Sequence, residues 1–403
     1  MAPEPPGIAA AQPQPAGAVD TGHRIDVLIP VYNAEATVRS AVESICAQTE
    51  RSILIHIVDD GSTDATPRIL AELAGDDARI RIHHKPNGGI VDALNYGLGF
   101  CTAEYIARHD GDDLAYPERL AVQLDWLTQH PDAVAVGAGV RHIDEHGQPT
   151  GEVVRLISPD LADPCQVPSQ EPYIIHPFLM VRRAAVEAAG GYRHVHHAED
   201  TDLYWRLSEH GRMHNLPDVL GDYRVHSNSV SSASIVNGRI AAAYAQLAAL
   251  SYRRRKRSQP DIAFPKGLHR LHEAKDLAQV MAVAGADLEP EEMQYLREAS
   301  AAKLLELASY RPFELEASDC RTIGEIARQG LGHLTRNNSA LQSRRLSGTA
   351  ARLAAAGRMT DAMALLPPGL LPSFAARYML RARALSGIKR RLRQRTGRRG
   401  PSK

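Results

Sequence analysis

Between residues 24 and 118 one unit recurs: a short apolar run that stops at a polar, often acidic loop, then apolar residues at helical spacing. In RIDVLIPVYN the run Val27 to Ile29 closes on Pro30 and Asn33, and Val38, Val42 and Ile45 then share one helical face. Ile53, Ile55 and Ile57 lead into DDGSTDAT, where Gly61 turns the chain, Thr63 or Asp64 is placed to cap a helix, and Pro67 suits its first turn. RIRIHHK supplies a third strand, GGIVDALNYGLGF a third helix and AEYIARH a fourth strand. Strands and helices alternating this closely predict an α/β fold with a mostly parallel central sheet covered on both faces. Ligands of such sheets bind beyond the carboxyl ends of the strands, so functional residues are expected directly after strands.

Downstream, YPERLAVQLDWLTQHP reads as a helix and AVAVGAGVRHIDEHGQPTGEVVRL as two strands around a polar turn. Residues 160–235 read as an irregular, site-building segment, and from residue 236 the pattern is alanine- and leucine-rich and helical, with AARLAAAGRMTDAMALLP as a helical hairpin. The expected organisation is a disordered Pro/Ala-rich leader at 1–22, an α/β domain at 23–235, an α-helical region at 236–380 and a basic tail at 381–403. The leader lacks the basic start and apolar centre of a secretory signal. No window approaches eighteen uninterrupted apolar residues, so a spanning helix is not expected.

With 47 basic against 47 acidic residues, overall charge makes no case for nucleic acid. The cations of KRRLRQRTGRRGPSK lack interleaved aromatics, which favours anionic lipid over nucleic acid as their partner. The four cysteines are scattered without a C-x-x-C pair, which suits a reducing compartment. A cytoplasmic protein is the expectation, with the basic tail either drawing it to the inner face of the membrane or standing as a solvated, disordered segment.

Four loops are polar beyond what packing requires: Pro30 to Asn33, Asp59 to Asp64, Asn87 to Asp92 and Asp110 to Asp113. Asp110, Asp112 and Asp113 crowd like charges that a hard divalent ion such as magnesium or manganese would neutralise, with Gly111 easing the turn between them. A plain turn, or a cap for the next helix by Asp113, is the alternative.

The ordered set VLIPVYNAEATVRSAVESICAQT, IHIVDDGSTDAT, NGGIVDALNYGL, AEYIARHDGDDLAYPERL, RRAAVEAAGGYR, AEDTDLYWRL and LGDYRVHSNSVS resembles family 2 glycosyltransferases of the GT-A fold over roughly residues 24–235. The resemblance implies an inverting, metal-dependent transfer from a nucleotide-sugar donor, most often a UDP-sugar, to a saccharide or lipid-linked acceptor in cell-surface polysaccharide or glycoconjugate synthesis. By position, Pro30, Tyr32 and Asn33 would border the nucleotide, Asp60 would accept from the uracil imide, and Asn87 lies in the loop that approaches base and diphosphate. That loop lacks the arginine some relatives carry. Asp110 would meet the ribose or the waters of a Mn2+ or Mg2+ ion, and Asp112 would ligate that ion. Of Glu199, Asp200 and Asp202, the family pattern makes Asp200 the base for the acceptor hydroxyl. Arg224 and His226 fall in a serine-rich stretch that resembles a donor-closing loop. His176 has two readings, a residue lining the acceptor side or a buried, hydrogen-bonded ring.

The Gln-x-x-Arg-Trp motif of processive members is missing, so a single transfer per encounter is expected. His194, His196 and His197 bring no fourth ligand at a structural zinc spacing. Two other readings are a nucleotidyltransferase, which would usually show a Gly-rich basic loop where this chain has PVYNAEATV, and a non-catalytic scaffold, against which the joint presence of Asp60, Asp110, Asp112 and Asp200 argues.

Overall fold

The computed structural model describes residues 22–225, 234–267, 269–311, 313–329 and 336–380. The leader to residue 21, His226 and the basic tail lie outside the described residues.

The recurring unit folds as read. It gives β1 (Ile25–Val31), α1 (Val38–Cys46), β2 (Ile53–Asp59), α2 (Thr66–Asp76), β3 (Ile80–His84), α3 (Ile90–Leu98) and β4 (Tyr105–Arg108). These four strands lie parallel in the order β3-β2-β1-β4. Side chains alternate across a strand, so each sheet face collects its own core. Val27 and Ile29 join Ile55, Ile57 and the apolar faces of α1 and α2, whereas Leu28 and Val58 join Val91 and Leu94 of α3 on the other side. The start of α2 differs from expectation. Its N-cap is Ala65 rather than Thr63 or Asp64, because the Asp64 carboxylate is spent on a local turn, accepting from the Thr66 N–H at 2.9 Å.

Past β4 the chain continues through β5 (Leu114–Ala115), α4 (Arg119–Gln129), β6 (Ala133–Ile143), β7 (Pro149–Val154), β8 (Met180–Arg182), α5 (Arg183–Ala189), α6 (Glu199–Leu207) and β9 (Arg212–Arg224). β8 joins β4 antiparallel, β6 joins β8 antiparallel, β9 runs parallel to β6, and β5 closes that edge against β9. Residues 160–235 are therefore less irregular than their sequence reads. Pro217, Gly221 and three register shifts against β6 break the period-two signal of β9, a 13-residue strand.

From residue 235 on, the elements among the described residues are helices: α7 (Ile235–Lys256), α8 (His269–His272), α9 (Leu277–Ala284), α10 (Pro290–Tyr310), α11 (Ala317–Gln329), α12 (Arg336–Ala355) and α13 (Met359–Leu365), the last two packed as the expected hairpin. It shares a core with the sheet-bearing part, since Val167, Val195, Ala198 and Trp205 pack among side chains of α7, α9 and α10. The buried Arg239 of α7 donates to both carboxylate oxygens of Asp319 in α11, at 2.9 and 2.8 Å. No helix among the described residues is long and apolar enough to cross a membrane.

Candidate active site

The sheet order reverses between β1 and β4, which opens a crevice at their carboxyl ends. On one side of it, the loops after β1, β2 and β3 form a single unit. Asn33 sits at φ 47°, a left-handed conformation that asparagine tolerates, with its N–H on Ser62 Oγ (2.9 Å) and its Oδ1 accepting from the Thr63 N–H (2.8 Å). Pro30 is buried within β1 opposite Val58, and Tyr32 stands half exposed beyond it. The Asp60 carboxylate gathers the loop that carries Asn87, accepting from the N–H groups of Gly88 (3.0 Å) and Gly89 (2.8 Å) and from Lys85. Asp59 instead accepts from the Ser62 N–H at 3.0 Å and pairs with His84, a strand-end role. Gly61 is required here: it has φ 77°, and a Cβ on it would lie 2.8 Å from the Asn87 nitrogen.

The turn after β4 carries the acidic cluster. Carboxylate oxygens of Asp110, Asp112 and Asp113 all lie within 4.8 Å of one another. Gly111 matters for closeness rather than for its backbone angle, because a Cβ there would stand 2.7 Å from Val31 Cγ1. Thr37 Oγ1 donates to the Gly111 carbonyl at 2.9 Å and binds this turn to the start of α1. Asp113 does not cap α4, whose N-cap is Glu118 beyond the intervening β5. Its Oδ1 accepts from the Arg224 N–H at 2.8 Å, while Oδ2 is buried without a hydrogen-bond partner. Burial first, then the charges of Asp110 and Asp112, push the Asp113 carboxyl well above its usual range. Burial likewise raises Asp110 against the opposing pull of Arg108. Arg108 offsets only part of the charge of three crowded carboxylates, and an oxygen-liganded divalent cation fits the remainder.

Arg224, expected over the donor, is the last residue of β9 and is buried. Its Nε donates to the Asp112 carbonyl at 2.8 Å and its Nη1 to the carbonyls of Asp144 (3.0 Å) and Glu145 (3.2 Å). Three backbone acceptors thus hold the guanidinium, which braces the acidic turn.

Across the crevice, α6 opens with Glu199 and Asp200. Asp202 belongs to the packing instead: fully buried, it is held by Arg193 (Nε, 3.0 Å) and Arg206 (Nε 2.9 Å, Nη2 2.7 Å). Asp200 Oδ1 accepts from the Thr201 N–H at 2.7 Å, and burial raises its carboxyl above the usual range. Glu199 is pushed up to about 7 by burial and then by the charge of Asp200. His176 takes the second of its two readings: it is a buried ring bonded to the Tyr192 hydroxyl at 2.7 Å. His194 pairs with Asp92, and His196 bonds the Pro265 carbonyl.

Glu199 carries a consequence for stability. Its folded-state pKa lies above the ordinary 4.5, so ionising it disfavours the folded state. The cost starts as pH rises past the unfolded value and is complete above about 7. Glu199→Gln is expected to raise stability by about 1–2 kcal/mol at pH 8 and by almost nothing at about pH 4. Denaturant titrations at the two pH values check this, and an equal effect at both would contradict it.

Sequence reading misses the residue that links the two sides. Arg108, the last residue of β4, is buried, and its Nη2 lies 2.5 Å from Asp110 Oδ1. Its Nε and Nη1 are buried without hydrogen-bond partners, and its charge opposes the upward shifts of Asp110, Glu199 and Asp200. Beneath it, the buried Arg119 of α4 donates to the Arg108 carbonyl at 2.6 Å. The signal was a cation ending an otherwise apolar strand in YIARHD.

Residues 26–190 match the family model described as Glycosyl transferase family 2. EpsE of Bacillus subtilis (strain 168), named as a glycosyltransferase, is 34% identical over 217 residues, which span 52% of this chain and 76% of EpsE. The chain belongs to glycosyltransferase family 2. A second relative of this glycosyltransferase, the amylovoran biosynthesis glycosyltransferase AmsE of Erwinia amylovora, is 32% identical over 209 residues, 51% of this chain and 77% of AmsE. Among solved structures, S. aureus TarS 1-349 in complex with UDP aligns at 16% identity and TM-score 0.48, over 85% of the glycosyltransferase described here and 90% of that chain.

Proposed function

We propose that this glycosyltransferase moves a single sugar, with inversion, from a nucleotide-sugar donor, a UDP-sugar, to a saccharide or lipid-linked acceptor in polysaccharide synthesis. The observation that carries the proposal is the acidic turn after β4, where carboxylate oxygens of Asp110, Asp112 and Asp113 lie within 4.8 Å of one another; Arg108, paired with Asp110, also bears electrostatically on Glu199 and Asp200 at the start of α6, which supports placing them with that turn. The name of AmsE supports the polysaccharide setting.

The nucleotide would lie along the unit built by Pro30, Tyr32, Asn33, Asp60 and Asn87. A carboxylate oxygen accepts along two lone pairs, so Asp60 can hold the Gly88–Gly89 loop and still take an imide N–H. Asp112, with Asp110 and Asp113, would hold Mn2+ or Mg2+, which when bound offsets the charge developing on the leaving diphosphate. Arg224 keeps that turn in shape from behind. Asp200 would take the proton of the acceptor hydroxyl as that oxygen attacks the anomeric carbon opposite the leaving group, so one displacement inverts the centre. The tail at 381–403, ten cations and no acid, would draw the protein to anionic membrane, where lipid-linked acceptors reside.

The test is transfer from a donor of known anomeric configuration, followed by proton NMR of the first product. An anomeric coupling opposite to that of the donor is the expected result, and retention would remove Asp200 from the base role.

A further inference from the structure

A second cluster of metal-ligating side chains lies at the other end of the sheet, under the turn between α3 and β4. Asp26 and His56 point from β1 and β2 to the α3 face, and Cys101 follows α3. One ligand atom from each of these three buried residues lies within 4.8 Å of the other two. His23, just before β1, reaches the same carboxylate, with its Nε2 at 2.6 Å from Asp26 Oδ1, and His56 Nε2 lies 3.1 Å from that oxygen. Asp26 and the crevice end of β1 are separated by five residues of strand, roughly 15 Å. The cluster is therefore separate from the Asp110–Asp113 site.

We propose that His23, Asp26, His56 and Cys101 form a binding site for zinc that staples the amino-terminal ends of β1 and β2 to the turn before β4. Two imidazole nitrogens, one carboxylate oxygen and one thiolate make a four-coordinate donor set suited to zinc and unsuited to magnesium or calcium. Charge supports the choice. A divalent ion with one carboxylate, one thiolate and two neutral imidazoles is neutral overall, as burial of Asp26 at 0% exposure demands. Binding releases the thiol proton and any proton shared between Asp26 and the histidines, so affinity weakens as pH is lowered.

The surrounding shell is already arranged. The remaining Asp26 oxygen, Oδ2, accepts from the N–H groups of Thr102 (2.6 Å) and Ala103 (2.7 Å), which fixes the carboxylate. His56 Nδ1 lies 3.1 Å from His83 Nε2. His83 is stacked on Phe100 at 3.9 Å and pushed down to about 4 by burial, so it stays neutral and can accept from the His56 Nδ1–H. Without metal the Asp26 carboxylate can only accept, so His56 Nε2–H donates to it at 3.1 Å; a metal at Nε2 displaces that proton, and the neutral His83 ring then accepts from the His56 Nδ1–H, the arrangement in which a metal-bound histidine is held by a neighbouring acceptor. Ligand separations around tetrahedral zinc are about 3.3–3.7 Å: the atoms of Asp26, His56 and Cys101 lie within 4.8 Å of one another and would draw in, while the contacts of His23 and His56 with Asp26 Oδ1, at 2.6 and 3.1 Å, would open as the ion enters between them.

The experiment uses the full chain in a Cys46→Ser/Cys165→Ser background, stripped with chelator and held in excess Mg2+ to occupy the acidic turn. Zinc is added, unbound metal is removed by desalting, and retained zinc is measured; a parallel sample takes cobalt. The expected results are one equivalent of zinc retained, a rise in Tm of roughly 5 °C at a hundredfold excess over Kd, and a near-ultraviolet sulfur-to-cobalt absorption band. Cys101→Ser should abolish the band and at least halve the Tm shift. Failure of the background protein to retain zinc, or a cobalt spectrum without the sulfur band, would overturn the proposal and leave the cluster as a hydrogen-bond network only. The cobalt band of the background protein decides even if Cys101→Ser does not fold.

Discussion

Replacing Asp112 with alanine is expected to lower metal-dependent release of nucleoside diphosphate by about 10³-fold. The expectation follows from crowding: the three carboxylates lie within 4.8 Å of one another, and Asp113 keeps a buried oxygen without a partner. Asp112 raises the carboxyls of both Asp110 and Asp113, so its removal relieves repulsion in the metal-free protein. The metal-free variant should therefore melt at the same temperature as the parent or above it, while losing the upward shift that Mn2+ gives the parent. Thermal melts with and without Mn2+ separate this outcome from simple misfolding. A variant that melts lower without metal and keeps its Mn2+ shift would show that Asp112 serves the turn and not an ion.

Asp200→Asn is expected to leave donor affinity unchanged and to reduce kcat by about 10²–10⁴-fold, the range for loss of a general base. The asparagine side chain keeps the size of the carboxyl and can still accept from the Thr201 N–H, so the start of α6 should hold. Asp202 is the control. It is fully buried between Arg193 and Arg206, and its replacement should reduce stability rather than alter kcat alone. Donor titrations followed by initial rates distinguish the two, and loss of donor binding in Asp200→Asn would contradict the assignment.

How far the sequence reached depended on whether a signal was local. The strands β1 to β4, their helices and the acidic loops are written in short runs whose periodicity survives folding, and the acidic loops do follow strands as expected. The one-residue ambiguity at Asp59 and Asp60 needed coordinates, because adjacent residues leave a strand end in opposite directions. Asp59 turns to Ser62 and His84, and Asp60 to the Gly88–Gly89 loop. Non-local facts were invisible. Nothing near Arg224 in sequence shows that its guanidinium meets the Asp112 carbonyl 112 residues away, and β9 hides its strand character behind a proline, a glycine and its register shifts. Arg108 was in plain view, but its role lies in burial, which a composition window does not report.

Whether the acidic turn after β4 holds an ion required for transfer from a nucleotide-sugar is decided by a donor-release assay. UDP-, GDP- and dTDP-sugars are offered with Mn2+ or Mg2+, and nucleoside diphosphate release is followed in the parent and in Asp112→Ala, with and without EDTA. Release from a UDP-sugar is expected to need the metal, to stop with EDTA and to be lost in Asp112→Ala. Release that continues undiminished in EDTA, or in the variant, would contradict it.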